Sequence, residues 1–515
     1  MLTKFWKSFQ SGTDIRGVAA EGVVGEEVNL TDEAVERIAH GFVAWLAERK
    51  GKGSQAITVA LGHDPRISAE RIRQAAARAM SRAGVTVLDC GLSSTPAMFF
   101  TTQDLGCDGA IEITASHHPF NRNGLKFFTA QGGLEKEDIS WILEFAQGFQ
   151  PPDAAEIPGK IIPTAYMQEY CARLRRMIQE GVRAENYDRP LEGFHIVVDA
   201  GNGAGGFYAS QVLAPLGADI SGSQFLEPDG MFPNHPPNPE NAQAMASVCR
   251  AVREQGADLG IVFDTDVDRG AAVDSQGREI SRNRLVALAS AIALQGSPGG
   301  TVVTDSITSN GVKQYIEQTL GGVHHRFKRG YKNVINEAIR LNREGVDCPL
   351  AIETSGHAAF RENGFLDDGA YLVTKILIEM AVLRREGKSL ETLLDPLQEP
   401  VEAAEIRLPI LEEEFASYGQ TVIAALEDYA RRHHWQIAPD NREGIRVSFP
   451  KGQGDGWFLL RLSVHDPILP VNVESDTQGG ALQILRQLDG FLCGYDRIDR
   501  APLEQFFTEK ESSVE

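Results

Sequence analysis

The feature that most constrains this chain is the repeated alternation of short β-branched runs with longer helical patterns. The run AITVALG at 56–62 leads to a helical pattern over 68–84, and VTVLD follows at 85–89. Further runs of this kind are FHIVVDA at 194–200, ADLGIVFD at 257–264 and TVVTD at 301–305. Strands that alternate with helices build α/β layers, so we predict an α/β protein made of βα repeats.

The last part of the chain has a different order of elements. Predicted strands at 444–449, 456–464 and 470–475 follow one another before a helical pattern at 480–492. This order is typical of an α+β domain. The final residues, 506–515, are expected to be unstructured.

The length of 515 residues exceeds what one hydrophobic core usually serves, so several domains are expected. Pro-bearing or polar stretches near 150–160, 274–284 and 398–409 mark the predicted seams. We therefore predict three α/β domains and one α+β domain, with boundaries at 1–158, 159–280, 281–402 and 403–515.

Charge and cysteine content exclude several classes of partner and location. Lys and Arg number 50 against 71 Asp and Glu, and the net charge of −21 disfavours binding to nucleic acid or to an anionic membrane. No protein partner is indicated. The six cysteines are widely spaced without a C-x-x-C pair, and no apolar stretch is long enough to span a membrane. We therefore expect a cytoplasmic protein in a reducing compartment.

A polar loop after a predicted strand carries the strongest chemical signal. The segment 110–128 places Ser116 just after the strand end at Thr114, beside His117 and His118 and ahead of Lys126. Such a serine can be a nucleophile or can carry a phosphoryl group. The alternative is a loop hydroxyl that only caps a turn, but two histidines and a lysine exceed what a turn needs.

Alternating carboxylates form the second signal. Asp264, Asp266 and Asp268 follow an apolar strand, and Arg269 comes next. In extended backbone the three carboxylates would point the same way, and oxygen ligands favour Mg²⁺ between them. The alternative is a solvated acidic strand end.

Two weaker groups are consistent with a phosphorylated sugar. Glu353 and Ser355, followed by His357, suit hydrogen bonds to sugar hydroxyls. A basic group comprises Arg326, Lys328, Arg329 and Lys332. In so acidic a chain this group is the kind of local patch that a phosphorylated ligand requires, although a solvated basic turn is an equal alternative.

A glycine-rich turn at 201–206 matches G-x-G-x-x-G and raises an alternative from another class, an NAD-dependent sugar-phosphate oxidoreductase. That class requires an acidic residue about twenty positions later, and Asp219 and Glu227 fit only approximately. Glycines that ease a tight strand-to-helix turn are the favoured interpretation.

Taken in order, TASHHP, DTDVDR and ETSGH resemble the α-D-phosphohexomutase family, most closely its bacterial phosphomannomutase/phosphoglucomutase branch. The resemblance extends to TDIRG (13–17), GHDPRIS (62–68), VDAGNGAGG (198–206), PPNPEN (236–241), GYKNV (330–334) and DDGAY (367–371). It implies four domains around a central cleft, three of them related α/β units and the last a phosphate-binding α+β domain.

The resemblance also implies a reaction and a site. The expected reaction interconverts hexose 1-phosphate and hexose 6-phosphate, of glucose or mannose, through a phosphoserine and a hexose 1,6-bisphosphate, which is also the expected activator. The implied residues are Ser116 as phosphoryl carrier; Asp264, Asp266 and Asp268 as Mg²⁺ ligands together with Ser116; Lys126 as general acid/base; Arg16, His117 and Arg269 around the serine loop; and Lys332, Glu353, Ser355 and His357 facing the sugar.

The chain departs from the family at the phosphate loop, where R-x-S-x-T-E-P is replaced by RLSVHDP at 461–467. Arg461 and Ser463 remain as phosphate ligands, His465 replaces a neutral hydroxyl, and the later basic residue is missing. The site then keeps one positive charge unless Arg446 or Lys451 approaches, and a His465 imidazolium could restore the lost charge. A non-catalytic or altered-specificity phosphosugar-binding homologue is therefore the alternative function.

Overall fold

The computed structural model describes residues 2–150, 158–463 and 466–512. The chain forms two compact units, 1–285 with 355–392 and 286–354 with 393–515. Both units combine helices with sheets, which confirms the predicted α/β class. The division into four domains at the boundaries given above stays a prediction.

The first unit contains an eight-stranded mixed sheet. Across the sheet the strands are Gln10–Ser11, Asp14–Val18, Arg122–Thr129, Gly109–Ile113, Thr58–His63, Thr86–Leu92 and Ile161–Pro163, with Gly132–Gly133 paired to Arg122–Thr129. The strands Gly109–Ile113, Thr58–His63 and Thr86–Leu92 run parallel to one another, as βα repeats require. The last two confirm the strands predicted at 56–62 and 85–89.

A second sheet of the first unit carries the acidic segment. Its strands, in order, are Glu279–Ile280, Gly270–Val273, Leu259–Phe263 and Ile196–Asp199. Leu259–Phe263 is parallel to Ile196–Asp199 and antiparallel to Gly270–Val273, so the chain turns tightly over 264–269. The same unit holds a short antiparallel pair, Ala358–Phe360 with Leu366–Asp367.

The second unit contains parallel strands followed by an antiparallel sheet. Thr301–Thr304 pairs in parallel with Val323–Arg326 and with Leu350–Ile352. The antiparallel sheet has the order Glu402–Pro409, Ile468–Ser475, Gly456–Leu460, Ile445–Phe449 and Gln436–Ile437. The run of strands before a helix confirms the predicted α+β character of this part of the chain.

Helices pack against the sheets. The α-helices are Lys4–Lys7, Asp32–Lys50, Ala69–Arg82, Thr95–Asp104, Lys136–Gly148, Tyr166–Val182, Ala242–Gln255, Arg282–Gln295, Asn310–Gln314, Tyr331–Arg343, Gly369–Arg385, Phe415–Arg432, Gly480–Leu492 and Ala501–Ser512. Short 3₁₀ or π turns lie at Ser54–Ala56, Ala204–Gly206, Tyr208–Leu213, Ala214–Leu216, Tyr315–Thr319, Arg361–Asn363 and Leu390–Leu393. In Asp32–Lys50, for example, Val35, Ile38 and Phe42 recur at helical spacing and are fully buried.

The expectation of an unstructured tail is wrong for the residues described there. Helix Ala501–Ser512 buries Leu503 and Phe507, four residues apart on one face, in the core of the antiparallel sheet. Phe507 lies within the segment expected to be unstructured and Leu503 one turn before it, and the burial of both side chains stabilises the helix.

Among the described residues, none of the helices is both long and apolar enough to cross a lipid bilayer. The six cysteines have free thiols, and five of them are buried.

Candidate functional site

The serine loop begins where strand Gly109–Ile113 ends, in the first unit. Ser116 is only 4% exposed and has a φ of 49°, a conformation that a non-glycine residue rarely adopts. Its backbone N–H donates to Thr114 Oγ1 at 2.9 Å, which helps to hold this conformation. A buried, strained serine at a strand end is typical of a functional site.

The Ser116 hydroxyl contacts the acidic turn more than 140 residues away in sequence. It donates to Asp264 Oδ2 at 3.2 Å and accepts from Arg269 Nη2 at 3.1 Å. His117 Nδ1 lies 3.3 Å from the same hydroxyl and 2.9 Å from Arg269 Nη2. The two strongest signals in the sequence therefore meet in one buried cluster.

The three aspartates converge, but not through extended backbone. Their carboxylate oxygens lie within 4.8 Å of one another, and all three side chains are buried. The extended conformation predicted for this segment is wrong: it is a tight turn in which Val267 has a φ of 67° and the Asp264 N–H donates to the Arg269 carbonyl. Because Val267 is β-branched, its left-handed conformation is strained.

Two cations, Lys126 and Arg269, compensate the acidic cluster, and Arg269 Nη2 pairs with Asp264 Oδ2 at 2.9 Å. Lys126 Nζ donates to Asp266 Oδ2 at 2.7 Å and also to Asp268 Oδ2. Burial and the neighbouring Asp268 raise the pKa of Asp264. Asp268 is buried as well, yet the charge of Lys126 lowers the pKa of its carboxyl far below the usual range.

The cluster also has the donor atoms for a divalent cation. Asp266 Oδ1 and Asp268 Oδ1 are buried and have no hydrogen-bond partner within the described part of the chain. Buried oxygens of this kind are costly unless they are paired or coordinate a metal. An all-oxygen set suits Mg²⁺, so the residues present fit that ion.

Thr95 supports the acidic turn and was not singled out from the sequence. It begins helix Thr95–Asp104, and its Oγ1 donates to Asp266 Oδ2 at 2.5 Å while its N–H donates to the Asp266 carbonyl at 2.9 Å. The signal was the Ser-Thr-Pro at 94–96, which is typical of a helix start but points to no partner.

Arg66 organises the serine loop and was also missed. It is 2% exposed, and its Nε donates to Asp64 at 3.1 Å. Its other nitrogens donate to four carbonyl oxygens of the loop, those of Ser116, His118, Pro119 and Arg122. Because a guanidinium has five N–H donors, these bonds use all of them.

Arg16 and the two histidines lie around the same loop, and the resemblance implied this place for Arg16 and His117. Arg16 donates to the Ala115 carbonyl at 3.1 Å and pairs with Asp14 at 3.0 Å. Burial, with nearby arginines, lowers the pKa of His117 to about 2 and that of His118 to about 3. Both rings are therefore neutral at neutral pH and act as hydrogen-bonding groups.

His357 also lies in the first unit, beside the acidic turn. It forms a backbone bridge with Arg269, and its Nδ1 is 2.5 Å from Asp367 Oδ2. Although burial opposes its charged form, the carboxylates of Asp367 and Asp268 raise the pKa of His357 to about 9. Asp367 lies in the motif DDGAY, to which the sequence analysis gave no role of its own.

This pKa predicts a pH-dependent contribution to stability. The folded-state pKa of His357 is raised from its usual value of 6.5. The charged imidazole therefore makes its full contribution to the stability of the metal-free protein below about pH 6.5, and this contribution is lost as the pH rises through about 9. The full effect is about 3 kcal/mol. Urea unfolding with a chelator present should show that the difference in the free energy of unfolding between the parent and His357→Gln decreases from about pH 6 to about pH 9.5. A constant difference would contradict the assignment.

The other predicted residues divide between the two units. Ser355 is buried in the first unit, on the segment that leads to His357. In the second unit, Glu353 Oε1 accepts from the Gly330 N–H at 2.5 Å, which brings it to the start of the helix that carries Lys332.

The phosphate-loop residues lie in the second unit. Arg461 and Ser463 are partly exposed at the end of strand Gly456–Leu460. Their backbone N–H groups donate to the carbonyls of Pro470 and Ile468, both at 3.1 Å. His465 lies outside the described residues.

Arg446 and Lys451 are the two residues considered above as sources of the missing positive charge. Arg446 is 2% exposed and donates to the Ser306 carbonyl at 2.8 Å and to Asn310 at 3.1 Å. Lys451 lies in the turn at the opposite end of the hairpin from Arg461, because Phe449 pairs with Gly456 there. Arg446 is therefore held by other groups, and Lys451 lies away from Arg461.

The glycine-rich turn at 201–206 packs against protein. A Cβ on Gly203 would lie 2.8 Å from the Thr265 carbonyl, and one on Gly206 would lie 2.1 Å from the Leu226 carbonyl. Gly203 therefore permits close approach to the acidic turn and Gly206 permits close approach to Leu226, in agreement with the favoured interpretation.

Comparison with known proteins agrees with this geometry. Family models for phosphoglucomutase/phosphomannomutase α/β/α domains I, II and III match residues 10–148, 168–277 and 281–400. A phosphoglucomutase of Neisseria gonorrhoeae is 30% identical over 469 residues, covering 90% of this chain and 93% of the relative. A phosphomannomutase of Escherichia coli is 31% identical over 464 residues, covering 88% and 93%.

A solved structure shows the same fold. It is a phosphoglucomutase/phosphomannomutase family protein from Burkholderia thailandensis, with a TM-score of 0.75 and 24% identity over 96% of this chain and 98% of that one. The matched models, the relatives and the fold agree with the resemblance carried by the serine loop and the acidic turn. The chain belongs to the phosphoglucomutase/phosphomannomutase family of phosphohexomutases.

Proposed function

We propose that this protein is an isomerase that interconverts hexose 1-phosphate and hexose 6-phosphate, of glucose or mannose, through a phosphoserine at Ser116. The main support is the contact of the Ser116 hydroxyl with Asp264 at 3.2 Å and with Arg269 at 3.1 Å. The names of the relatives, phosphoglucomutase and phosphomannomutase, support the class of substrate.

Each half of the cycle is a phosphoryl transfer. A sugar hydroxyl oxygen bonds to the phosphorus of the phosphoserine, the bond from phosphorus to Ser116 Oγ breaks, and the hydroxyl proton passes to a base. The hexose 1,6-bisphosphate then reorients, and its other phosphoryl group returns to Ser116. Lys126, held against Asp266 at 2.7 Å, is the proposed proton acceptor and donor.

The surrounding groups stabilise charge on the moving phosphoryl group. Arg269 already donates to Ser116 Oγ, so its guanidinium is placed to stabilise that oxygen as the phosphorus leaves. His117 is neutral and accepts or donates a hydrogen bond beside it. Arg16 fixes the backbone one residue before Ser116.

The proposed metal is Mg²⁺, held by Asp264, Asp266 and Asp268 together with a phosphoserine oxygen. When bound, it would neutralise charge on the transferring phosphoryl group. The two buried oxygens of Asp266 and Asp268 support this choice.

The remaining predicted residues are assigned to the substrate. The residues proposed to bind the sugar are Lys332, Glu353, Ser355 and His357, and those proposed to bind its phosphate are Arg461, Ser463 and His465. Hexose 1,6-bisphosphate is the proposed activator, because it can restore the phosphoserine after loss by hydrolysis. We also propose a cytoplasmic location, because the widely spaced cysteines suit a reducing compartment.

Arg66→Lys tests the support of the serine loop. Lysine has one charged nitrogen with three donors and cannot span the carbonyls of Ser116 and His118 while also reaching Asp64. We expect kcat to fall about a hundredfold with little change in KM, because the serine is misplaced while the substrate sites remain. Steady-state kinetics and the phosphorylated fraction of Ser116 measure this effect.

Arg71→Lys is the matched control. Arg71 also donates to backbone carbonyls, those of Ala19 and Leu30, both at 2.9 Å, but none belongs to the serine loop. Equal losses of kcat in both variants would show that Arg66 acts only through general stability.

A substrate panel tests the proposed function. Purified protein with Mg²⁺ and glucose 1,6-bisphosphate should interconvert the 1- and 6-phosphates of glucose or mannose. Inactivity on hexose and hexosamine phosphates alike would contradict it. The altered loop at 461–467 favours a second candidate, a phosphosugar-binding homologue, for which binding without turnover is the expected result.

A further inference from the structure

The basic group at 326–332 contains an arginine that lies close to the phosphate loop. Within the second unit, the Arg329 N–H donates to Glu443 Oε1 at 3.2 Å. The next residue, Gly444, packs directly on Arg461: a Cβ added to Gly444 would lie 2.8 Å from the Arg461 Cα. Arg329 and Arg461 therefore stand on either side of the short segment 443–444.

The two guanidinium groups carry like charge in a partly buried place. Burial lowers the pKa of Arg461, and the positive charge of Arg329 lowers it further. Arg461 Nε is buried and has no hydrogen-bond partner among the residues that the structure describes. An anion between two such groups would satisfy the donor and offset the repulsion.

The nearby acids already have other partners. Glu405 accepts from Asn472 at 3.1 Å and from Arg407 at 2.9 Å, and it also forms an ion pair with Arg329 at 3.9 Å. Glu443 accepts from the Ser306 hydroxyl. The charges of Glu443 and Glu405 raise the pKa of Arg461 against the lowering by burial and by Arg329, yet its Nε has no hydrogen-bond partner among the described residues.

The other arginine of the basic group serves a different purpose. Arg326 is 5% exposed, pairs with Asp440 at 2.5 Å and donates to the Thr308 carbonyl at 3.1 Å. Its partners keep it in the interior. Arg329, whose side chain is 23% exposed, can reach a ligand from solvent.

We propose that Arg329 binds the phosphate group of the sugar phosphate together with Arg461, and so supplies the positive charge that the altered phosphate loop lacks. This inference rests on the proposed function and adds to it a residue that determines phosphate affinity. The ligand chemistry is a phosphate monoester dianion, which a guanidinium binds through two parallel N–H groups.

The test compares Arg329→Gln with a matched control, Arg407→Gln. Arg407 is 68% exposed and pairs with the same Glu405, so the control removes the same charge and a partner of the same acid. In Arg329→Gln we expect KM for glucose 1-phosphate to rise about tenfold while kcat stays within about twofold, because ground-state and transition-state binding weaken together. Arg407→Gln should match the parent, and Arg329→Lys should recover part of the affinity.

Calorimetric titration with inorganic phosphate provides a readout that does not depend on turnover. We expect Arg329→Gln to weaken phosphate binding about tenfold relative to the parent and to Arg407→Gln. Unchanged KM and unchanged phosphate affinity in Arg329→Gln would overturn the inference, as would equal losses in both variants. If the parent shows no mutase activity, the proposed function fails, and the titration still decides the role of Arg329.

Discussion

In a Ser116→Ala variant we expect mutase turnover to fall at least about a thousandfold, because the only atom that changes is the proposed phosphoryl carrier. The Ser116 hydroxyl lies in contact with both Asp264 and Arg269, and alanine leaves these groups in place. Binding of glucose 6-phosphate should therefore persist. A coupled assay measures turnover, and calorimetry measures binding.

Ser210→Ala is the control for this variant. Ser210 is exposed in the same unit, and its hydroxyl donates only to the Gly206 carbonyl among the contacts described. It should leave turnover unchanged. Substantial turnover in Ser116→Ala would refute the phosphoserine assignment and leave the fold assignment untouched.

Asp266→Asn should weaken Mg²⁺ binding at least about tenfold and lower turnover at subsaturating Mg²⁺. Its carboxylate has one oxygen bonded to Lys126 and Thr95 and another without a partner in the described chain. The substitution removes one negative charge from the proposed ligand set with almost no change in volume. Titration of Mg²⁺ against turnover measures the shift.

Asp258→Asn controls for the loss of a carboxylate in the same unit. Asp258 is partly exposed, pairs with Arg384 at 3.0 Å and accepts from the His195 N–H at 2.9 Å, away from the acidic turn. Its Mg²⁺ titration should match that of the parent. An unshifted titration in Asp266→Asn would count against the three-aspartate site.

The sequence predicted those features that depend on local pattern. Hydrophobic runs located the strands Gly109–Ile113 and Leu259–Phe263, and the strand ends then placed Ser116 and Asp264 where polar side chains emerge. Like charges so close together require compensation, which is why the acidic turn could be interpreted as a metal site without knowledge of its backbone.

The features that escaped prediction depend on contacts between distant segments. Arg66 reaches the Ser116 carbonyl across 50 residues, and Thr95 reaches Asp266 across 171. Nothing in the local sequence indicates such partners. The left-handed Val267 was also unexpected, because a β-branched residue disfavours that conformation unless the surrounding structure imposes it.

The last α+β segment illustrates both cases. Its strands were predicted because alternating apolar residues mark them, whereas the final helix was missed because only Leu503 and Phe507 are buried in it, too few positions for a clear helical pattern. Arg329 was noted only as one member of a basic group. Its position beside Arg461 follows from the contact of Glu443 with its backbone, which no pattern of charges indicates.

The most direct test of the phosphoserine mechanism is mass spectrometry of the Ser116 peptide before and after substrate is added. Protein incubated with glucose 1,6-bisphosphate and Mg²⁺ should carry one phosphoryl group on Ser116, and glucose 6-phosphate should then remove it with formation of the bisphosphate. Interconversion of the sugar phosphates with Ser116 unmodified throughout would contradict the account.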